Sequence, residues 1–401
     1  MYLKEGISMA SILFRNARIV TPTGVTPGEL LVKDGVISQV RFDCSIDAPA
    51  DRVIDAGGRY LSPGFIDIHT HGAGGADFMD GTLDAIYQAC RKHMEHGTTS
   101  IAPTTITSTK ESLLSFVDLF NQVQLDREDI PNILGLHLEG PYFAYEQRGA
   151  QDPKYLRSPD PEEYNEVLRR TDRIIRWSFA VELDGADLFL RTLREHGVIS
   201  SLAHSDATCP QVFRAYENGI SALTHFYSAM SGVRRINAYR VAGAIEAGYL
   251  LDDLFVEVIA DGKHLPSELL QLIYKIKGPE RICLVTDSMR AAGMPDGSYI
   301  LGNRETGMET IVEDGVAKLP DRSAFAGSVA TTDRLVRTML QMTTAPLHEA
   351  VKMMTLTPAR LLRIDDRKGS ISEGKDADLL LFDENVNVEM VLVRGRILKE
   401  N

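Results

Sequence analysis

Apolar residues in this chain gather into short, nearly unbroken runs separated by stretches with enough polar residues and length to form helices. Eight such runs occupy residues 64–71, 98–104, 133–139, 174–182, 198–204, 221–226, 254–261 and 281–287. Runs that are apolar on both faces are what buried parallel strands require, and helices between them supply the crossovers. Eight strand–helix units are the number that closes a (β/α)8 TIM barrel, so the predicted fold class is α/β with that barrel as its main body. The two ends of the chain read differently. From Ser11 to Ile54, brief apolar runs such as Ile12-Leu13-Phe14 and Leu30-Leu31-Val32 alternate with turn text such as Pro22-Thr23-Gly24 and Lys33-Asp34-Gly35. Ala377 to Phe382 and Val391-Leu392-Val393 repeat that style, so both ends are expected to share one small β unit. The predicted division assigns 1–58 and 366–401 to that unit and 59–365 to the barrel.

Composition narrows the picture without redirecting it. The 401 residues are 44% hydrophobic and 25% charged, ample for one large α/β domain with a small companion. A net charge of -13 argues against a general nucleic-acid surface, while leaving room for a local basic pocket for a small anion. Cys44, Cys90, Cys209 and Cys283 are far apart and form no Cys-x-x-Cys pair, which indicates neither a disulfide framework nor a structural zinc site and fits a reducing cytoplasm. No apolar run reaches membrane-spanning length, and Lys4, Glu5 and Gly6 interrupt the first residues, so neither a membrane span nor an export signal is expected. Met9, followed by Ala-Ser-Ile-Leu-Phe, reads as the natural start, which makes Met1 to Ser8 an extension without function.

Candidate chemistry sits at the ends of the runs. Six of the eight close on His71, Glu139, Glu182, His204, Asp261 or Asp287, and a parallel barrel brings the C-terminal ends of its strands to one mouth. His69 and His71 are two apart, so on a strand they share a face and can bind one ion together. With Glu139, His204 and His225 at other strand ends, the donor set suits zinc or a similar divalent ion. Asp287 is placed to take a proton from water activated by such an ion and to hand it to a leaving amine. Its alternative role, capping a helix in Ser288-Met289-Arg290, is outweighed by its place at the mouth. His264, in Asp261-Gly262-Lys263-His264, lies in a loop suited to touching substrate. His137 is expected to be a packed, hydrogen-bonded residue of the barrel, and His93, His96, His196 and His348 to be solvated.

Taken together, these residues resemble the N-acetylglucosamine-6-phosphate deacetylase family of the amidohydrolase superfamily. The matching text is Pro63-Gly64-Phe65-Ile66-Asp67-Ile68-His69-Thr70-His71-Gly72, His137-Leu138-Glu139-Gly140-Pro141, Ala203-His204-Ser205, Thr224-His225, Asp261-Gly262-Lys263-His264 and Thr286-Asp287-Ser288-Met289. Ala326-Gly327-Ser328, Thr357-Pro358-Ala359-Arg360 and Gly374-Lys375-Asp376-Ala377-Asp378 extend it to nearly the whole chain. The resemblance implies a barrel with a small β-sandwich built from both termini, usually a homodimer. It implies metal roles for Glu139, His204 and His225, a second-metal role for His69 and His71, catalysis by Asp287 and substrate contact by His264. Some relatives lack the His-x-His pair and use one ion; with both histidines present here, one or two ions per chain fit. The implied reaction removes the acetyl group of an N-acetylated amino sugar phosphate, giving acetate and the amino sugar phosphate.

Three departures fall on the substrate side. Gln151 stands where the family commonly has a substrate-contacting His, and Ser228 stands where Asn usually precedes the Ala-Met seen here as Ala229-Met230. Downstream, residues 233–241 replace the usual text, and Arg234, Arg235 and Arg240, Arg235 first among them, can form a phosphate clamp because guanidinium matches phosphate oxygens in bidentate fashion, the alternative being a solvated surface loop. These changes leave open an N-acetylgalactosamine-6-phosphate, unphosphorylated amino sugar or other N-acyl amine as substrate. Cyclic amide hydrolysis or deamination on the same scaffold, and an inactive sugar-phosphate-binding protein, are the readings from other classes.

Overall fold

The computed structural model describes residues 11–400; the expected extension and Met9 start lie outside them. Both ends of the chain join one eight-stranded mixed sheet. Its order runs Arg396–Glu400, Val388–Val393, Leu379–Phe382, Tyr60–Pro63, Ile12–Thr21, Gly24–Lys33, Val36–Phe42, with Arg52–Asp55 paired to Ile12–Thr21. Asp34 and Gly35 hold φ of 52° and 80°, the left-handed pair that a two-residue hairpin between Lys33 and Val36 requires. Neighbouring residues of these strands face opposite ways. Ile12, Phe14, Leu30 and Val32 enter one apolar cluster, whereas Leu13 and Leu31, directly paired, enter another with Ile46.

The body between these ends is TIM-barrel-like. Phe65–Thr70, Thr98–Pro103 and Asn132–Ile133 form one parallel sheet. Leu136–Glu139, Ile174–Phe179, Ile199–Leu202, Ala222–Leu223, Phe255–Val258 and Ile282–Leu284 form another. A parallel bridge between Thr104 and His137 links them on one side. On the other, the Asp287 amide donates to the His69 carbonyl at 2.9 Å. Helices intervene, and their starts are set locally. Asp160 caps Pro161–Arg170 by accepting from the Glu162 amide at 2.9 Å, and Thr82 caps Leu83–Glu95 through the Ala85 amide at 3.2 Å.

Alternation along the strands sorts two layers. On Phe255–Val258, Val256 and Val258 join the large core under the helices, while Phe255 and Glu257 face the other way. The opposite layer carries polar groups that satisfy one another: His137 bonds Ser178 at 2.7 Å, Ser178 bonds Thr224 at 3.0 Å, and Arg176 donates to Thr224 at 2.9 Å and Ser201 at 2.8 Å. This network lies directly beneath the mouth.

The expected strands overshoot the observed ones. His204, His225 and Asp287 lie past the last ladder residues Leu202, Leu223 and Leu284, with φ of 45°, 33° and 45°. A left-handed residue turns the chain away from its neighbour, so ladder pairing cannot continue through it. Among the described residues no helix is long and apolar enough to cross a membrane.

Candidate active site

The backbone at the mouth turns left-handed at three of the functional residues, His204, His225 and Asp287. Besides those three, Tyr227 and Ala229 hold φ of 78° and 50°, conformations that cost about 1–3 kcal/mol each and cluster at working sites. His69 sits within Phe65–Thr70, His71 just past it, and Glu139 ends Leu136–Glu139.

These side chains converge. His69, His71 and Glu139 form one group of candidate ligand atoms, and Glu139, His204 and His225 form another, all within 4.8 Å in each group. Glu139 Oε1 lies 3.1 Å from His225 Nε2, 3.4 Å from His69 Nε2 and 3.5 Å from His204 Nε2. His204 and His225 each turn Nδ1 to a backbone carbonyl, Gln147 at 2.8 Å and Ser228 at 3.1 Å. A carbonyl only accepts, so each Nδ1 carries a ring proton and, in the neutral ring, the lone pair is left on Nε2; the two Nε2 atoms face each other at 3.2 Å. His69 Nε2 is buried with no hydrogen-bond partner. Neutral rings converging their Nε2 lone pairs on a carboxylate fit a bound cation, and imidazole with carboxylate is a donor set for a borderline divalent metal.

Asp287 shares the space. Its Oδ1 is 3.1 Å from His71 Nε2 and 3.4 Å from His69 Nε2. Burial pushes its carboxyl up, but the charges of His69 and His71 and the His71 hydrogen bond outweigh burial and hold it below its ordinary value. Burial disfavours charge on His71, yet its bond to Asp287 and the charges of Glu139 and Asp287 raise it to about 9. Glu139 is likewise held well below its ordinary value: burial opposes ionisation, and the surrounding histidines overcome it. Both carboxylates are therefore ionised at neutral pH. No helix follows Asp287, so the capping role is not realised here.

A cavity of about 220 Å³ opens onto this cluster, walled by Ile106, Leu301, Ala324 and Phe325 on its apolar side. Gln151, Ser228, Ala229 and His264 also line it. Gln151 donates to Glu139 Oε2 at 2.9 Å and accepts from the Thr107 amide at 3.1 Å. His264 turns Nδ1 to Asp261 Oδ2 at 2.9 Å, leaving its other ring nitrogen for the cavity. Arg235 is not brought there: it is exposed on the hairpin of Arg234–Ile236 and Tyr239–Val241, outside the cavity lining. Arg234 pairs with Asp206.

His137 has both ring nitrogens engaged, by Thr104 at 3.2 Å and Ser178 at 2.7 Å, as a barrel residue should. His93, expected in solvent, is instead buried against Thr70 at 2.9 Å, because the helix Leu83–Glu95 turns that face to the barrel. Sequence reasoning passed over Glu257 and Arg176, a fully buried ion pair inside the barrel. Their signal was available: a charge within an otherwise apolar strand run must find a buried partner.

Comparisons with known proteins place the chain in a family. The amidohydrolase family profile matches residues 60–398. An N-acetylglucosamine-6-phosphate deacetylase from Lysinibacillus sphaericus is 34% identical over 396 residues, covering 96% of this chain and 97% of the relative. An N-acetylgalactosamine-6-phosphate deacetylase from Escherichia coli is 31% identical, covering 96% and 98%. Among solved structures, a variant of the Mycobacterium smegmatis N-acetyl-D-glucosamine-6-phosphate deacetylase in complex with N-acetyl-D-glucosamine-6-phosphate superimposes with a TM-score of 0.89 at 31% identity, covering 97% of this chain and all of the other. Matched by the family profile over residues 60–398 and by a 34% identical relative over nearly its whole length, the chain belongs to the amidohydrolase family.

Proposed function

We propose that this protein removes the acetyl group from an N-acetylated amino sugar phosphate, N-acetylglucosamine-6-phosphate first among them, releasing acetate and the amino sugar phosphate. One observation carries the reading: the candidate ligands His71, Glu139, His204 and His225 line a single cavity with Asp287 and a donor-bearing wall, and His69 joins His71 and Glu139 just behind that lining. Relatives at 30–34% identity with that activity support it.

Glu139, His204 and His225 would hold one ion, and His69 and His71 with Glu139 a second. A divalent ion there, which we read as zinc, would polarise the amide carbonyl and bring the pKa of water down to ~7. Asp287 accepts the proton that water gives up as its oxygen bonds the carbonyl carbon. It returns that proton to nitrogen as the C–N bond breaks, so a carboxylic acid and an amine form with no net change in the enzyme, and the acid's proton passes to the amine to give carboxylate and ammonium. His264, oriented by Asp261, and the lining residues Gln151, Ser228 and Ala229 position the sugar. Arg235 serves phosphate only if the hairpin is brought to a cavity, and the exposed apolar side chains Val233, Ile236 and Tyr239 on it support a homodimer.

The fold reading that accompanies this function is a closed (β/α)8 barrel spanning 59–365 with a small β-sandwich from 1–58 and 366–401. The Thr104–His137 bridge and the Asp287–His69 hydrogen bond support closure, and separate apolar clusters on the two faces of the terminal sheet support the sandwich. Four free cysteines fit a cytoplasmic setting. The test is a steady-state deacetylation assay of zinc-loaded protein on N-acetylglucosamine-6-phosphate, its galactose epimer and unphosphorylated N-acetylglucosamine. A strong preference for a phosphorylated sugar is expected; cleavage of none of them with metal bound overturns the reading.

A further inference from the structure

We infer that Glu257, clamped by Arg176 inside the barrel, is a positioning residue that fixes the tautomer of His69 and so builds one of the two cation positions. The inference rests on the reading of His69, His71 and Glu139 as metal ligands.

The geometry is specific. Glu257 Oε2 lies 3.1 Å from His69 Nδ1, and both groups are fully buried. A carboxylate accepts only, so Nδ1 keeps a ring proton, and the neutral ring that takes a cation has its lone pair on Nε2. That Nε2 has no hydrogen-bond partner and lies 3.4 Å from both Glu139 Oε1 and Asp287 Oδ1. Glu257 cannot swing away, because its other oxygen pairs with Arg176, which Ser201 and Thr224 hold at 2.8 and 2.9 Å.

The two cation positions are therefore oriented by different means. His204 and His225 are set by the backbone carbonyls of Gln147 and Ser228, which a side-chain substitution does not remove. His69 is set by a side-chain ion pair, and His71 Nδ1 has no partner that would orient it independently. A carboxylate behind a ligating histidine aligns the ring and raises its basicity, and its loss typically costs 10–100-fold in metal affinity. Changing Glu257 should thus weaken one position and spare the other.

The experiment measures zinc binding to chelator-stripped, full-length protein by equilibrium dialysis, with bound metal counted per chain. Wild type should bind two ions. Glu257→Gln should bind one with unchanged affinity and the other about 10–100-fold more weakly. Because Glu257→Gln leaves the Arg176 charge buried without its partner, the doubly substituted Arg176→Met, Glu257→Gln protein is measured beside it and should show the same selective loss. In a His69→Gln background, Glu257→Gln should change zinc affinity no further, a result that general loosening of the barrel would not produce. Binding of a single ion by wild type, equal weakening at both positions, or an undiminished effect of Glu257→Gln without His69 would each overturn the inference. Selective loss in a protein that deacetylates no sugar would instead sustain it while overturning the proposed reaction.

Discussion

Replacing Asp287 with asparagine separates proton transfer from everything else this residue does. Asparagine tolerates left-handed backbone at least as well as aspartate, so the φ of 45° at this position is kept. The Asp287 amide still donates to the His69 carbonyl at 2.9 Å, and its carbonyl still accepts from the Ser328 amide at 2.7 Å. An amide oxygen can also occupy the place of Oδ1, 3.1 Å from His71 Nε2. Loss of the negative charge weakens attraction to a cation, but it also removes one of the interactions that raise His71 to about 9, and the easier deprotonation of that ligand offsets the loss. What disappears is the proton acceptor. General acid–base catalysis contributes ~10²–10⁴-fold, equivalent to ~3–5 kcal/mol of barrier, so kcat should fall by that factor. KM should move by only a few-fold, and zinc content per chain should match wild type. Steady-state kinetics on N-acetylglucosamine-6-phosphate with parallel metal analysis decides the matter. An Asp287→Asn protein with bound zinc and full turnover refutes the role assigned to Asp287.

Other consequences can be measured independently. Zinc uptake by stripped protein at pH 8 should release about one proton from His71, which is held up at about 9 without the ion and must deprotonate to bind it. Calorimetry in buffers of different ionisation enthalpy reads that proton, affinity should fall as pH is lowered, and a buffer-independent heat would contradict the assignment. Asp333 is held down at about 2: burial opposes ionisation, but the hydrogen bond and charge of His96 and the charge of Arg337 outweigh it. Because the folded value is depressed, its contribution of ~2 kcal/mol is present above the unfolded value of about 4 and is lost as pH falls toward 2. Asp333→Asn should therefore lower the urea midpoint at pH 7, with the deficit narrowing below about pH 4; a deficit that stays constant with pH would show that packing, not charge, is responsible. Trp177 is fully buried and donates to the Gly140 carbonyl at 2.9 Å, so Trp177→Phe should leave a cavity and an unpaired carbonyl beside Glu139, costing ~2–4 kcal/mol. An unchanged denaturation midpoint would mean that Phe189 and Tyr142, which pack on the indole, refill the space.

Much of the molecule was legible in the order of residues alone. Continuous apolar runs can be buried only between helices, which determined parallel strands and a TIM-barrel-like body. The His-x-His pair, Glu139, His204, His225 and Asp287 were visible because a barrel gathers strand ends and because few other arrangements place so many metal-binding side chains at successive run ends. The chain order could not say where the ladder stops. His204, His225 and Asp287 leave it in left-handed turns, a choice made by where each side chain must point rather than by the propensity of the residue. Nor could it show that Arg235 lies on an exposed hairpin away from the cavity, or that His93 is buried, since both depend on which helix or loop face packs inward. The pairing of Glu257 with Arg176 and His69 joins three strands separated by 188 residues of chain between the outermost two. Charges so distant in sequence become one buried network only when the strands are brought side by side, and burial is what makes their mutual satisfaction compulsory.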